Sequence, residues 1–303
     1  LIDPLDNPGG VCLHWGCIPS KALLHAVKVK DEAAEAKKWG ISFGEPEVDI
    51  DKLRSFKDGV IKKLTGGLGQ LVKQRKIEHR HGFARFASER ELTVSLNEGG
   101  EEKVSFQNAV IATGATPGSL PNIDIDSKRI LYAKSALDLE EIPDSLLVVG
   151  GGYIGLELGS VFGKLGSKVT VVEMLPGVMT GADRDLVAVF EKANKKTFEE
   201  ILTNTVVDSM KESSRGIDVV MKSVDGEKGT NKSETYSKVL LTVGHRPNTG
   251  ELDLDKAGVE SDEKGFVTVD DQRRTSKPHI YAIGDVTGPP LLAHKANLEG
   301  KVA

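Results

Sequence analysis

The chain has 303 residues, 39% hydrophobic and 28% charged, which is enough to bury a sizeable core in about two domains. Its formal net charge of −5 and pI near 5.9 argue against nucleic acid or an anionic membrane as partner, and no apolar run approaches the roughly 20 residues of a membrane span. Two cysteines do not make a secreted disulfide scaffold, and nothing at the start reads as a signal peptide, so the expected compartment is a reducing one: the cytoplasm, or the mitochondrial matrix if the source is eukaryotic. The chain opens at Leu1 and ends on Lys301-Val302-Ala303 inside an unfinished helical pattern, the reading expected of an internal fragment.

The two cysteines, Cys12 and Cys17, stand five residues apart at the head of an apolar-periodic run through Ala22, Leu23, Ala26 and Val27 that predicts a helix to about Lys38, stopped by Trp39-Gly40. In a regular helix that spacing separates them by about 7.5 Å along the axis, beyond what a disulfide tolerates. Pro19 removes one helical hydrogen bond and crowds the carbonyl at Trp15, so the helix can distort across the pair. A disulfide at such a helix start is reducible, and the helix dipole favours a released thiolate. The bland alternative is two buried small hydrophobes; a zinc site lacks partners at ligand spacing.

A second helical pattern, capped by Asp49 or Asp51, carries Leu53, Val60, Ile61, Leu64, Leu68, Leu71 and Val72, with Gly66, Gly67 and Gly69 as interruptions. Strand-like runs follow at 77–86, 91–96 and 103–112, with Asn97-Glu98-Gly99-Gly100 as a turn; His79 and His81 belong to one polar strand face. The last run opens into the small-residue turn Thr113-Gly114-Ala115, where a flat group can approach the backbone. Pro117, Pro121 and Pro143 punctuate the next connection. Leu146 to Val149 then runs into Gly150-Gly151-Gly152-Tyr153-Ile154-Gly155, a helix to Leu165, and a strand from Lys168 to Val172 ending at Glu173. This order is that of a dinucleotide fold. The first glycine makes the turn, the second admits a pyrophosphate at the helix N-terminus, and the third lets helix and strand pack. Glu173 accepts both hydroxyls of an adenosine ribose and repels a 2′-phosphate, which favours NAD over NADP. Glu157, in the first helical turn, suits the helix dipole. Helix 183–195, strands 206–210, 217–222 and 236–242, and a solvated turn over 225–234 come next. A strand then runs into Gly284-Asp285, whose carboxylate is either a turn cap or a partner for a sugar-alcohol hydroxyl.

The string Gly-Gly-Val-Cys-Leu-His-Trp-Gly-Cys-Ile-Pro-Ser-Lys-Ala-Leu-Leu over residues 9–24 resembles the redox-active disulfide segment of the pyridine nucleotide-disulfide oxidoreductases, and most of all the dihydrolipoamide dehydrogenase branch. His14-Trp15 departs from it: the family commonly has a small polar and a small apolar residue there, and Trp15 sets a bulky ring between the sulfurs. Val243-Gly244-His245-Arg246-Pro247-Asn248 is similar to the segment that closes the family's NAD domain, and Thr275 to Asp285 to its strand into Gly-Asp.

The resemblance implies an α/β chain with two Rossmann-like domains: a partial, discontinuous FAD domain over 1–115 with the redox helix, a connection over 116–145, an inserted NAD domain over 146–265, and a return to the FAD and central region over 266–303. Cys12 is then the outer thiol that exchanges with substrate, Cys17 the thiolate beside the flavin, and Lys21, paired with Glu157, an electrostatic stabiliser of the reduced ring. FAD contacts are implied at Lys21, Gly82, Ala84, Thr113, Gly114, Ala115, Asp285, Leu291, Leu292, Ala293 and His294. NAD contacts are implied at Gly150 to Gly155, Tyr153 and Ile154 among them, and at Glu157, Glu173, Val206 and Gly244, with no metal. The expected reaction is oxidation of protein-bound dihydrolipoamide with reduction of NAD, the partner being the lipoyl domain of a dihydrolipoamide acyltransferase in a 2-oxo acid dehydrogenase complex. Alternatives are a glutathione- or mercuric-reductase-like enzyme and an inactive NAD-binding fragment. The family also implies a glycine-rich FAD turn before Leu1 and a homodimer domain after Ala303, so the chain alone is expected to hold FAD poorly and to turn over little.

Overall fold

A computed structural model describes residues 1–118, 120, 125–224 and 231–303. The chain divides into two compact units, one of Leu1–Cys12, Lys63–Pro117 and His245–Ala303, the other of Leu13–Lys62 and Gly118–Gly244.

The second unit is built on a five-stranded parallel sheet whose strands lie in the order Ile130–Leu131, Lys238–Leu241, Ser145–Val149, Lys168–Val172 and Glu200–Leu202. The unbroken apolar run Leu146 to Val149 is buried throughout, as a strand covered on both faces requires. Alternate residues serve opposite faces. Leu146, Val148, Val169, Val171 and Leu240 pack with Leu156, Val161 and Phe162 of the helix Tyr153–Leu165 and with Leu23 and Val27 of the cysteine helix. Leu147, Val149, Val172, Val239 and Leu241 pack against an antiparallel sheet of Thr205–Ser213, Gly216–Ser223 and Lys232–Tyr236.

The expected strand over 236–242 is in fact two. Residues up to Tyr236 pair antiparallel with Gly216–Ser223 and those from Lys238 pair parallel with Ser145–Val149, so the chain changes sheet at Ser237, whose N–H donates to Ser145 Oγ at 2.9 Å. The turn expected over 225–234 does not extend to its last residues. Residues 225–230 lie outside the described set, as does Pro121, and Lys232 to Glu234 are strand, with Lys232 Nζ 2.6 Å from Glu200 and 3.0 Å from Glu234. The helix Arg184–Asn194 agrees with the periodicity.

In the first unit, Gly82–Ser88, Glu91–Leu96 and Glu101–Ser105 form an antiparallel meander, Ala109–Ile111 pairs parallel with Ile280–Ala282, and Ala115–Pro117 pairs antiparallel with His245–Pro247. The strand expected from Ile77 begins only at Gly82, with Arg80 making a single bridge to Ile2. The run expected over 103–112 breaks after Ser105: Phe106 N–H turns to Arg90 O, and Ala109 N–H bonds His279 O to enter a different sheet. His79 and His81, expected on one face of the strand from Ile77, precede Gly82–Ser88 instead, with ring centroids 4.1 Å apart. Phe86, Ile111, Ala257, Val267, Ile280, Ala282 and Val286 make this unit's core.

The helix Ile50–Gln74 is continuous, begun by Asp49, whose Oδ1 accepts Lys52 N–H at 3.0 Å. The glycines do not break it. Gly69 marks a close approach instead, since a Cβ there would lie 2.0 Å from Asn7 Oδ1.

Candidate functional site

The chain's two cysteines are joined as a disulfide, leaving no free thiol. The local backbone makes this possible. A first helix, Gly10–Trp15, stops at Gly16 with φ −140° and ψ −111°, and a second, Cys17–Glu35, begins on the other cysteine. Distortion across the pair was expected at Pro19; the break itself falls three residues earlier, at Gly16, whose carbonyl accepts Ser20 N–H at 3.0 Å. Cys17 thus occupies the positive end of a 19-residue helix, which favours a thiolate there.

One turn on from Cys17, Lys21 Nζ lies 2.6 Å from Glu157 Oε1, while Ser20 Oγ donates to Glu157 Oε2 at 2.8 Å. Glu157 comes from the Tyr153–Leu165 helix, so the helix after the glycine turn and the helix after the cysteines meet at one carboxylate. Ser20 has no counterpart in the sequence reading; its adjacency to Lys21 was the available signal.

The glycine turn behaves residue by residue as its motif requires. Gly150 has φ +110°, and a Cβ on it would stand 2.8 Å from Thr242 O. Gly155 would bring a Cβ to 2.3 Å from Gly150 O, so only hydrogen permits helix and strand to pack. At Gly152, by contrast, nothing lies within 4 Å of the Cβ position. That open N-terminal cap of the Tyr153–Leu165 helix fits a pyrophosphate. Tyr153 opens the helix with its side chain exposed, whereas Ile154 packs against the core. Thr242 Oγ1, missed from sequence, donates to Val149 O and Gly150 O at 3.0 and 3.2 Å and braces the turn. Glu173 stands at the end of its strand, Oε2 accepting Gly151 N–H at 2.7 Å and Oε1 accepting Leu175 N–H at 2.9 Å. These bonds fix the carboxylate beside the glycine turn. Val206 lies near the start of the Thr205–Ser213 strand, and Gly244, at φ +61°, offers its carbonyl to Gly118 N–H.

In the first unit, Thr113 and Asn248 are doubly bonded: Thr113 Oγ1 donates to Asn248 O at 2.8 Å and Asn248 Nδ2 donates to Thr113 O at 2.8 Å. Gly114 follows at φ +72° with open space over it, and Ala115 is buried in its strand. Asp285 sits in the 3₁₀ turn Gly284–Thr287. Burial pushes its carboxyl above the ordinary range, and burial likewise holds His245 below the usual imidazole value, the two opposing each other's shift by attraction. The Gly284 peptide is gripped from both sides, its N–H bonded to Glu299 Oε2 at 2.7 Å and its carbonyl to Lys295 Nζ at 2.8 Å. Such an acidic residue on a clamped, glycine-lined edge fits a polyol chain. Leu291 and Leu292 precede the terminal helix Ala293–Val302, with His294 in its first turn. Gly82 and Ala84 lie on the antiparallel meander; a Cβ at Gly82 would be 2.3 Å from Ser95 O, so strand pairing requires a glycine there.

Residues 1–300 match the family model described as pyridine nucleotide-disulphide oxidoreductase. The dihydrolipoyl dehydrogenase of Vibrio parahaemolyticus is 45% identical over 303 residues, covering all of this chain and 63% of that protein. That of Geobacillus stearothermophilus is 42% identical over 297 residues, 98% of this chain and 62% of that protein. The chain therefore spans under two thirds of the length of these relatives. Among solved structures, LpdA from Mycobacterium tuberculosis superposes with a TM-score of 0.88 at 25% identity, over 100% of this chain and 65% of that one. The HOCl-induced flavoprotein disulfide reductase RclA from Escherichia coli, solved as a Cu(II) complex, gives 0.82 at 25% identity, over 100% and 64%. With its disulfide, its glycine turn and a family match across nearly its whole length, the chain belongs to the pyridine nucleotide-disulphide oxidoreductases.

Proposed function

We propose that the chain carries the redox and nucleotide-binding region of a dihydrolipoyl dehydrogenase, which oxidises protein-bound dihydrolipoamide to lipoamide and reduces NAD. The observation that supports it most is the Cys12–Cys17 disulfide followed one turn later by Lys21 in contact with Glu157. Lipoamide is favoured over glutathione or mercuric ion by the similarity along nearly all of this chain to dihydrolipoyl dehydrogenases. In this reading residues 1–115 and 266–303 serve FAD and 146–265 serve NAD. The partner is a lipoyl domain of a 2-oxo acid dehydrogenase complex, the assembly a homodimer, and the compartment the cytoplasm.

A substrate thiolate attacks Cys12; the Cys12–Cys17 bond breaks, Cys17 leaves as a thiolate, and a mixed disulfide forms on Cys12. The second substrate thiol then displaces Cys12, closing the lipoamide ring and leaving both cysteines reduced, with the two substrate protons passed to base. FAD, when bound, supplies the two-electron relay from the dithiol to NAD. With FAD and NAD bound, Lys21, its ammonium fixed by Glu157, would offset negative charge on the flavin, Asp285 would hold the polyol chain, and Glu173 would hold the adenosine ribose, while Ser20 steadies Glu157.

The test is NADH formation by the full-length protein supplied with FAD, NAD and dihydrolipoamide, against reduced glutathione as competitor substrate. Turnover with dihydrolipoamide that vanishes in Cys17→Ser supports the reading. Equal turnover in that variant, or preference for glutathione, rejects it.

A further inference from the structure

We propose that Lys134 and Trp15 form a clasp that positions the segment between the two cysteines, making Lys134 a positioning residue for the disulfide. The proposal rests on the redox role assigned above to Cys12 and Cys17. Lys134 Nζ lies 4.4 Å from the centroid of the Trp15 ring, inside the range of a cation–π attraction. Trp15 also meets His14, their ring centroids 5.3 Å apart. Trp15 is the last residue of the Gly10–Trp15 helix, and it is followed by the Gly16 break, so the ring is held at the hinge between the two cysteine-bearing helices.

Lys134 is presented by a braced element. It belongs to the short helix Ala133–Leu137, whose first turn is tied by Ser135 Oγ accepting Tyr132 N–H at 3.0 Å and whose Ala136 and Leu137 are buried. The other end is fastened to the helix Ile50–Gln74. Arg54 donates to Asp138 O at 2.9 Å and Leu139 O at 2.8 Å, and Lys57, only 4% exposed, donates to Leu137 O at 2.8 Å. Three cationic side chains thus act in series: two cap the C-terminal carbonyls of the short helix, and the third reaches from its first turn to the indole.

Reduction of the disulfide removes the covalent link across Gly16. A ring still gripped by Lys134 keeps the hinge near its oxidised shape, which raises the effective concentration of one sulfur at the other and favours re-closure. Lys134 therefore biases the dithiol–disulfide equilibrium toward the disulfide.

The experiment is equilibration of the protein in graded ratios of reduced to oxidised dithiothreitol, followed by alkylation and mass measurement of the free thiols. In each exchange the reagent loses two electrons and closes its own ring, while the Cys12–Cys17 bond breaks and each sulfur takes up a proton. Lys134→Met and Trp15→Leu should each shift the equilibrium about two- to fivefold toward the dithiol, the double variant no further than either alone, and Lys134→Arg should restore it. Should Trp15→Leu fail to fold, the Met and Arg variants at position 134 still decide. No shift in Lys134→Met, or a shift toward the disulfide, overturns the clasp. The titration uses neither flavin, NAD nor lipoamide, so its outcome and that of the turnover assay are separable.

Discussion

Lys21 and Glu157 are 136 residues apart in sequence and 2.6 Å apart in space. Lys21 is 59% exposed, and an ion pair so open to water contributes little to stability. Its value is orientation: the carboxylate takes Ser20 Oγ on one oxygen and the ammonium on the other, one helical turn from Cys17. Glu157→Gln and Lys21→Met should therefore change unfolding free energy by less than about 1 kcal/mol. Lys21→Met should nevertheless slow flavin reduction roughly 10²-fold, as loss of a preorganised charge does. Urea unfolding and anaerobic stopped-flow absorbance measure the two quantities.

The glycine turn separates packing from ligand approach. Gly155→Ala places a Cβ 2.3 Å from Gly150 O and 2.6 Å from Thr242 Oγ1, and should destabilise the protein by about 1–3 kcal/mol or more. Gly152→Ala meets nothing and has an ordinary φ of −76°, so its melting temperature should be close to wild type while NAD binding weakens at least tenfold. Thermal melts paired with NAD titration calorimetry distinguish them.

The His245–Asp285 neighbourhood predicts opposite pH effects. Burial lowers His245, so the folded state resists a proton that the unfolded chain accepts, and stability falls as pH drops from about 6.5 through the folded-state value. Burial raises Asp285, so the folded state keeps a proton longer, and stability is lost as pH climbs from about 3.9 through its raised value. Attraction to Asp285 partly offsets the depression of His245. Asp285→Asn should thus lower the His245 pKa further, measured from the imidazole resonances; a rise would contradict the assignment.

Much of this was legible in the sequence where one local rule acts alone. The buried strand, glycine turn, helix and acidic strand end from Leu146 to Glu173 agree in every element because they follow one another within a single βαβ unit. Lys21 and Glu157 were paired only through family resemblance, since periodicity carries no information across 136 residues. The runs over 103–112 and 236–242 were read as single strands because apolar continuity does not record a change of sheet at Phe106 or Ser237. Thr242 and Ser20 have no role legible in the sequence for a related reason: each acts through a hydroxyl whose partner is distant in sequence.

The most direct test is anaerobic mixing of the oxidised protein with dihydrolipoamide, followed by alkylation and mass analysis of Cys12 and Cys17. The account predicts stoichiometric formation of lipoamide with both cysteines labelled, and no lipoamide from the Cys17→Ser variant, which has no disulfide to reduce. A disulfide that dithiothreitol opens but dihydrolipoamide leaves intact would contradict it.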